Sequence, residues 1–238
     1  MEEFLNNYYS IINSVVVFFP AIVGVFVLKK YSTTSIKHFI WFCIYVAFVE
    51  LIGAYNFYFD KFESLSFMKE FLKGTIFETV QWWYLIFWTL GSTLFYALYF
   101  NKIMKGNSFK KVIKFATLFF LIMFFTSVVY YYDAIVNKPP SIIGISGSIL
   151  IFICVLLYLV ENLKSDKVLS IFNSVNFYIA STILLWNLIM IPLTFYDVYF
   201  NSSDMDFSIL KALIYLGCNT FMYLTFSFAL LCCKPQKN

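Results

Sequence analysis

The chain has 238 residues, of which 61% are apolar, 23% aromatic and 13% charged, with a formal net charge of +4. A soluble domain carries about 25% charged and about 45–50% apolar residues, so a water-soluble globule is excluded and lipid is the solvent that fits. Every basic side chain apart from His38 is a lysine, which also excludes an arginine clamp on phosphate or carboxylate and an arginine-bearing voltage sensor.

A membrane-spanning helix needs about 20 mainly apolar residues. Seven stretches qualify in chain order, at 9–28, 40–59, 79–100, 115–132, 142–160, 171–195 and 209–231. Helices are expected because each satisfies its own backbone inside lipid. The fold class is therefore all-α, a polytopic membrane protein built as one seven-helix bundle over residues 1–238. The first stretch does not read as a cleavable leader, since Glu2 and Glu3 flank it and no small-residue cleavage site follows.

Between the second and third spans, Phe62, Leu65, Met68 and Leu72 share one helical face among lysines and glutamates. That pattern predicts a short helix lying on the membrane surface. Aromatic clusters at Tyr55–Phe59, Trp82–Tyr84, Tyr130–Tyr132 and Tyr196–Phe200 read as an interfacial belt. Pro20 and Pro192 fall inside spans one and six, where proline removes a backbone hydrogen bond.

Lysine placement gives the orientation. With the N-terminus outside, the inner segments hold Lys29, Lys30, Lys37, Lys102, Lys105, Lys110, Lys111, Lys114, Lys164, Lys167, Lys234 and Lys237. The outer side keeps Lys61, Lys69, Lys73, Lys138 and Lys211, beside the acidic Asp197, Asp204 and Asp206. An excess of inner lysine is the positive-inside pattern, so the C-terminus is expected in the cytoplasm and the protein in a bacterial inner membrane. The cluster Lys102, Lys105, Lys110, Lys111 and Lys114 is expected to attract anionic headgroups or to dock an acidic cytoplasmic partner.

Polar residues inside the spans carry the functional reading. Glu50 is a carboxylate near the middle of a span, where burial of an ionisable group costs at least about 2.5–3.5 kcal/mol. Small residues share its face (Cys43, Ala47, Ala54), which points it into the bundle. Span three aligns Glu78, Gln81, Leu85, Thr89, Ser92, Tyr96 and Tyr99 at helical spacing. Span six aligns Asn173, Asn176, Ala180, Ile183, Asn187 and Thr194, and span seven aligns Ala212, Tyr215, Asn219, Tyr223 and Ser227.

With Asn56, Ser146 and Ser148, these stripes predict a polar interior richest in the middle and outer half. They can equally glue the bundle through interhelical hydrogen bonds of about 0.6 kcal/mol each. Glu50, Glu78, Gln81, Asn56, Asn187 and Asn219 are the candidate ligand residues.

Catalytic and metal chemistry find no support. Cys43, Cys154 and Cys218 lie inside apolar runs, and Cys232 and Cys233 close the last span. His38 is the only histidine, so no zinc site is expected, nor a cofactor. A retinal protein needs a lysine midway along the seventh span, whereas Lys211 sits at its outer end. The segment Asn219-Thr220-Phe221-Met222-Tyr223 lacks the proline of the G-protein-coupled receptor motif.

One resemblance is positive. Val49-Glu50-Leu51-Ile52 in span two and Ile76-Phe77-Glu78-Thr79 opening span three carry it, with Asn219 and the tail Cys232-Cys233-Lys234-Pro235. On these residues the chain resembles small uncharacterised seven-helix membrane proteins of Bacteroidota, some encoded beside sensor kinases. That family supplies no catalytic residues to carry over.

The expected function is a non-enzymatic sensor or receptor-like subunit with an outward-facing polar cavity. Its partners would be the lipid bilayer, an unknown small ligand and a cytoplasmic or membrane protein, without nucleic acid. The alternatives are a small-solute or proton-coupled transporter titrating Glu50, and a structural subunit of a membrane complex. An intramembrane lipid enzyme fits poorly, because Glu50 and Glu78 stand too far apart for a carboxylate pair.

Overall fold

The computed structural model describes residues 2–164, 168–196 and 205–235. Among these, seven helices are long and apolar enough to cross a membrane. They are α1 (Glu2–Val27), α2 (Ile36–Gly53), α3 (Val80–Ile103), α4 (Asn107–Tyr130), α5 (Ser141–Leu163), α6 (Val175–Tyr196) and α7 (Met205–Cys232). No strand occurs among the described residues. Lys167, Lys237, Asp197, Asp204 and the Asn201-Ser202-Ser203 segment lie outside them.

Three boundaries differ from the sequence reading. The apolar run at 40–59 is not one helix: α2 begins at Ile36, ends at Gly53, and a separate helix Tyr55–Lys61 follows. Glu50, expected near mid-span, therefore stands in the last turn of α2. Helix α4 begins at Asn107 rather than 115, so Lys110, Lys111 and Lys114 occupy its first turns instead of a loop. The surface segment narrows to a helix at Ser66–Leu72 flanked by short turns.

Both prolines sit within continuous helices. Pro139 and Pro140 precede α5, and the Pro140 carbonyl accepts the Ile143 N–H at 3.1 Å.

The helices close a ring. Helix α1 packs on α2 and α7, α7 on α6, α6 on α5, and α5 on α3; α2 completes the circuit by packing on α3. Helix α4 lies outside, against α3 and α5. Its exposed side chains Phe115, Leu118, Phe119, Ile122, Phe125 and Val129 recur at helical spacing, which presents an apolar face to lipid. In lipid the hydrophobic effect no longer drives helix association, and packing and hydrogen bonds take its place.

Aromatic contacts supply much of that packing. Phe42 of α2 stacks on Phe95 of α3 with centroids 4.0 Å apart, and Phe39 meets Phe226 of α7 edge-on at 5.0 Å. Such pairs contribute about 0.5–1.5 kcal/mol beyond the area they bury.

Helices α1 and α7 run parallel, and hydrogen bonds fix them midway along and at one end. Midway, Asn219 Nδ2 donates to Asn13 Oδ1 at 3.2 Å. At the end, Tyr31 donates its hydroxyl to the carbonyls of Leu230 and Cys233 at 3.0 and 2.8 Å. Lys30 Nζ donates to the Leu230 and Leu231 carbonyls at 3.3 and 3.0 Å. The last carbonyls of α7 are orphans of helix geometry, and a lysine there also meets the negative end of the helix dipole. A parallel first and last helix requires an odd number of crossings, which places the two termini at opposite ends of the bundle.

Candidate functional site

Helices α2, α3, α5, α6 and α7 enclose a cavity of about 340 Å³ in the half of the bundle nearer the N-terminus. Helix α2 contributes Phe42 and Glu50. Glu50 is half-buried, and Tyr84 of α3 donates its hydroxyl to Glu50 Oε2 at 3.2 Å. Gly53 permits this approach, since a Cβ there would lie 2.6 Å from the Tyr84 hydroxyl oxygen. Trp83 Nε1 donates to the Val49 carbonyl at 3.0 Å and ties the same edge.

Helix α3 is not a plain α-helix. Residues Tyr84–Leu90 form a π-helical segment, a feature with i→i+5 bonding that occurs frequently at functional sites. Tyr45 of α2 donates its hydroxyl to the Phe87 carbonyl within that segment at 2.5 Å. Ser92 donates to the Trp88 carbonyl.

The wider turn changes the phase of the helix, so the long polar stripe expected from α-helical spacing is split. Trp88, Thr89, Ser92, Thr93 and Tyr96 line the cavity; Glu78, Gln81 and Leu85 do not.

Gly144, Ser148 and Ile151 of α5 form the next part of the wall. Helix α6 adds Trp186, Asn187 and Thr194, and α7 adds Tyr215, Asn219 and Tyr223. Trp186 Nε1 donates to Asn219 Oδ1 at 3.0 Å, and Asn219 passes the chain on to Asn13. One network thus fixes α6, α7 and α1.

Asn187 differs from these partnered groups. Only 1% of it is exposed. Its Nδ2 donates to the Ile183 carbonyl at 2.8 Å, which fixes the orientation of the amide, yet its Oδ1 has no partner. A buried acceptor left unpaired costs about 1–3 kcal/mol.

Among the described residues the wall holds one carboxylate and neither lysine nor histidine. Lys211 Nζ lies 6.0 Å from the centroid of the Tyr215 ring, one helical turn nearer the end of the bundle.

Of the six ligand candidates named from sequence, Glu50, Asn187 and Asn219 stand together in this wall. Glu78 is exposed in the turn Ile76–Glu78 ahead of α3, where its Oε2 accepts the Gly74 N–H at 2.8 Å. Asn56 is exposed on the helix Tyr55–Lys61, and Gln81 is half-buried away from the cavity.

Sequence reading missed Tyr84, Trp88, Trp186 and Asn13. From sequence Tyr84 reads as part of the interfacial belt, and helical spacing cannot register a π turn. Asn13 did carry a signal, as a polar residue inside the first apolar run.

The opposite end holds a second cavity of about 360 Å³, lined by residues including Lys37, His38, Trp41 and Lys102. Lys102 Nζ donates to His38 Nε2 at 3.0 Å, and His38 Nδ1 faces the Ser35 carbonyl at 3.3 Å. The turn between α3 and α4 is held by Glu161 Oε1, which accepts the backbone N–H groups of Lys105 and Gly106 at 2.8 and 2.7 Å. Lys102, Lys105, Lys110, Lys111 and Lys114 therefore cluster around one turn; Lys110 is half-buried and the others are exposed.

Outside the spans, burial raises the Tyr31 hydroxyl from 10.0 to about 12, with the Cys233 and Cys232 thiols adding to it. All five cysteines are free. Among the described residues no group of three His, Cys, Asp or Glu side chains is placed to hold a metal.

Fold and cavity together define a polytopic α-helical integral membrane protein with a chamber inside the bundle, walled mainly by apolar and aromatic side chains among a few polar ones. No family model, curated protein or solved structure matches the chain, so the functional reading rests on the chamber itself.

Proposed function

We propose that the chain is a non-enzymatic, receptor-like membrane protein that holds a small ligand in the cavity formed by α2, α3, α5, α6 and α7. In this reading the N-terminal end faces outward and admits the ligand. The lysine-rich end faces the cytoplasm and meets anionic lipid or an acidic protein partner. The observation that carries the reading is the unpartnered Asn187 Oδ1 in the wall of a cavity of about 340 Å³. Cavities of about 300–1,000 Å³ with a few convergent polar groups are the usual form of small-molecule sites, and an unpaired buried acceptor is a group that a ligand donor satisfies.

The test is a panel of small polar solutes against purified protein in lipid nanodiscs, read by thermal stabilisation and by the fluorescence of Trp88 and Trp186. At least one solute should stabilise the wild type and fail to stabilise Ser148→Phe, which fills the cavity. A panel spanning amines, amino acids, carboxylates and sugars without a single such solute would sink the reading.

The second reading is a proton-coupled transporter, favoured by the presence of the Glu50 carboxylate in the wall. Proteoliposomes separate the two. A receptor-like protein binds the solute without net uptake, whereas a transporter gives uptake driven by a pH gradient and lost in Glu50→Gln.

A further inference from the structure

We infer that the ligand of this cavity is a small organic ammonium, carrying a cationic N–H donor head on a short apolar or aromatic body. This rests on the reading of the cavity as a ligand site and names its chemistry.

The first argument is charge. Among the described residues Glu50 is the one carboxylate in the wall, and no lysine or histidine joins it there. The chain has no arginine to meet an anion bidentately. An anionic ligand would lie near a carboxylate in a half-buried site without a cation to compensate it, which low local dielectric makes costly. An ammonium supplies the missing positive charge.

The second argument is the balance of donors and acceptors. Several donors of the wall are already committed. Trp186 Nε1 is given to Asn219, one N–H of the Asn187 amide to the Ile183 carbonyl, and one of the Asn219 amide to Asn13. Tyr84, behind the wall, gives its hydroxyl to Glu50. The Glu50 carboxylate and the wall's oxygens add acceptor capacity. Asn187 Oδ1 is unpartnered, and Thr and Tyr hydroxyls in the wall can accept as readily as donate. An ammonium has several N–H groups and no acceptor, the complement of such a wall.

The third argument is aromatic content. Phe42, Trp88, Tyr96, Trp186, Tyr215 and Tyr223 surround the space. Ring faces attract a cation, tryptophan most strongly, and the same rings pack an apolar body. A volume of about 340 Å³ lies at the small end for ligand sites, which sets the scale at a compact amine rather than a peptide or a lipid.

Three probes of one shape and different charge test this: phenethylamine, phenethyl alcohol and phenylacetate. Each is titrated into the wild type in nanodiscs at neutral pH, with thermal stabilisation and tryptophan fluorescence as readouts. Phenethylamine should bind at least about tenfold more tightly than the other two, the scale of one charge-assisted hydrogen bond. In Glu50→Gln the amine should lose about tenfold while the alcohol changes by less than about twofold.

Equal binding of the alcohol, tighter binding of phenylacetate, or no binding of phenethylamine at all would each overturn the assignment. These comparisons are made within the wild type, so they hold even if a variant folds poorly. Stabilisation by the alcohol or by phenylacetate that equals or exceeds that by phenethylamine, and that Ser148→Phe removes, would overturn the amine chemistry and leave the receptor-like reading standing.

Discussion

Tyr84 donates its hydroxyl to Glu50 Oε2 at 3.2 Å, joining the π-helical segment of α3 to the last turn of α2. It is the contact through which a carboxylate is accommodated in an apolar helix pair. Removing the donor alone by Tyr84→Phe should lower unfolding free energy by about 0.5–1.5 kcal/mol. Glu50→Leu strands the hydroxyl as well and should cost about 1–3 kcal/mol. Denaturant unfolding in detergent measures both, and a stabilised Glu50→Leu protein would remove this contact from the account.

Gly53 should behave as part of the same unit. A methyl at this position meets the Tyr84 hydroxyl at 2.6 Å, so Gly53→Ala pushes the ring away from Glu50. Its effect should therefore repeat that of Tyr84→Phe, and the double variant should be little worse than the worse single one. Groups that share one contact are non-additive in this way. Full additivity would show that Gly53 matters for another reason.

Asn187 gives a prediction of opposite sign. Its Oδ1 is a buried acceptor without a partner. Asn187→Leu, of similar size, removes the unpaired group and should leave stability unchanged or raise it by about 1 kcal/mol. The same variant should lose ligand stabilisation. Destabilisation of the variant measured without added ligand would mean that the bond from Nδ2 to Ile183 is what Asn187 is for.

Tyr31 links stability to high pH. The folded state raises its hydroxyl from 10.0 to about 12, burial first and the neighbouring thiols second. A raised folded-state value means that the neutral phenol is favoured by folding. Its contribution is fully present below about pH 10 and is lost as pH rises through about 12. Tyr31→Phe should cost about 1 kcal/mol at neutral pH through the lost bonds to Leu230 and Cys233. The gap between wild type and variant should close across that alkaline window. A gap that stays constant from neutral to strongly alkaline pH would contradict the assignment.

The orientation proposed from lysine placement is tested by reporter fusions. A reporter inserted beside Lys138 and one fused after Pro235 should report opposite sides, with the second in the cytoplasm. The same side for both would remove a crossing and conflict with the parallel arrangement of α1 and α7.

Sequence by itself determined the class of solvent and the number of crossings, because both depend on local quantities. Apolar content over about 20 residues decides whether a stretch can sit in lipid, and that is legible without knowing any neighbour. Glu50, Asn187 and Asn219 were legible for the same reason, since a polar side chain inside an apolar run stands out.

Only the tertiary structure decided which polar residues meet. Helix α2 ends at Gly53 although the apolar run continues, and that places Glu50 in its last turn, beside Tyr84, rather than at mid-helix. The π turn at Tyr84–Leu90 rephases α3, sending Gln81 away from the chamber and keeping Thr89, Ser92 and Tyr96 in it, while Glu78 lies in a separate turn ahead of the helix. Periodicity assumes a constant number of residues per turn, and one change of that number reassigns every face before it. Partners such as Asn13 and Asn219 are some 200 positions apart in the chain; their pairing is set by the parallel packing of α1 on α7, which no local pattern encodes.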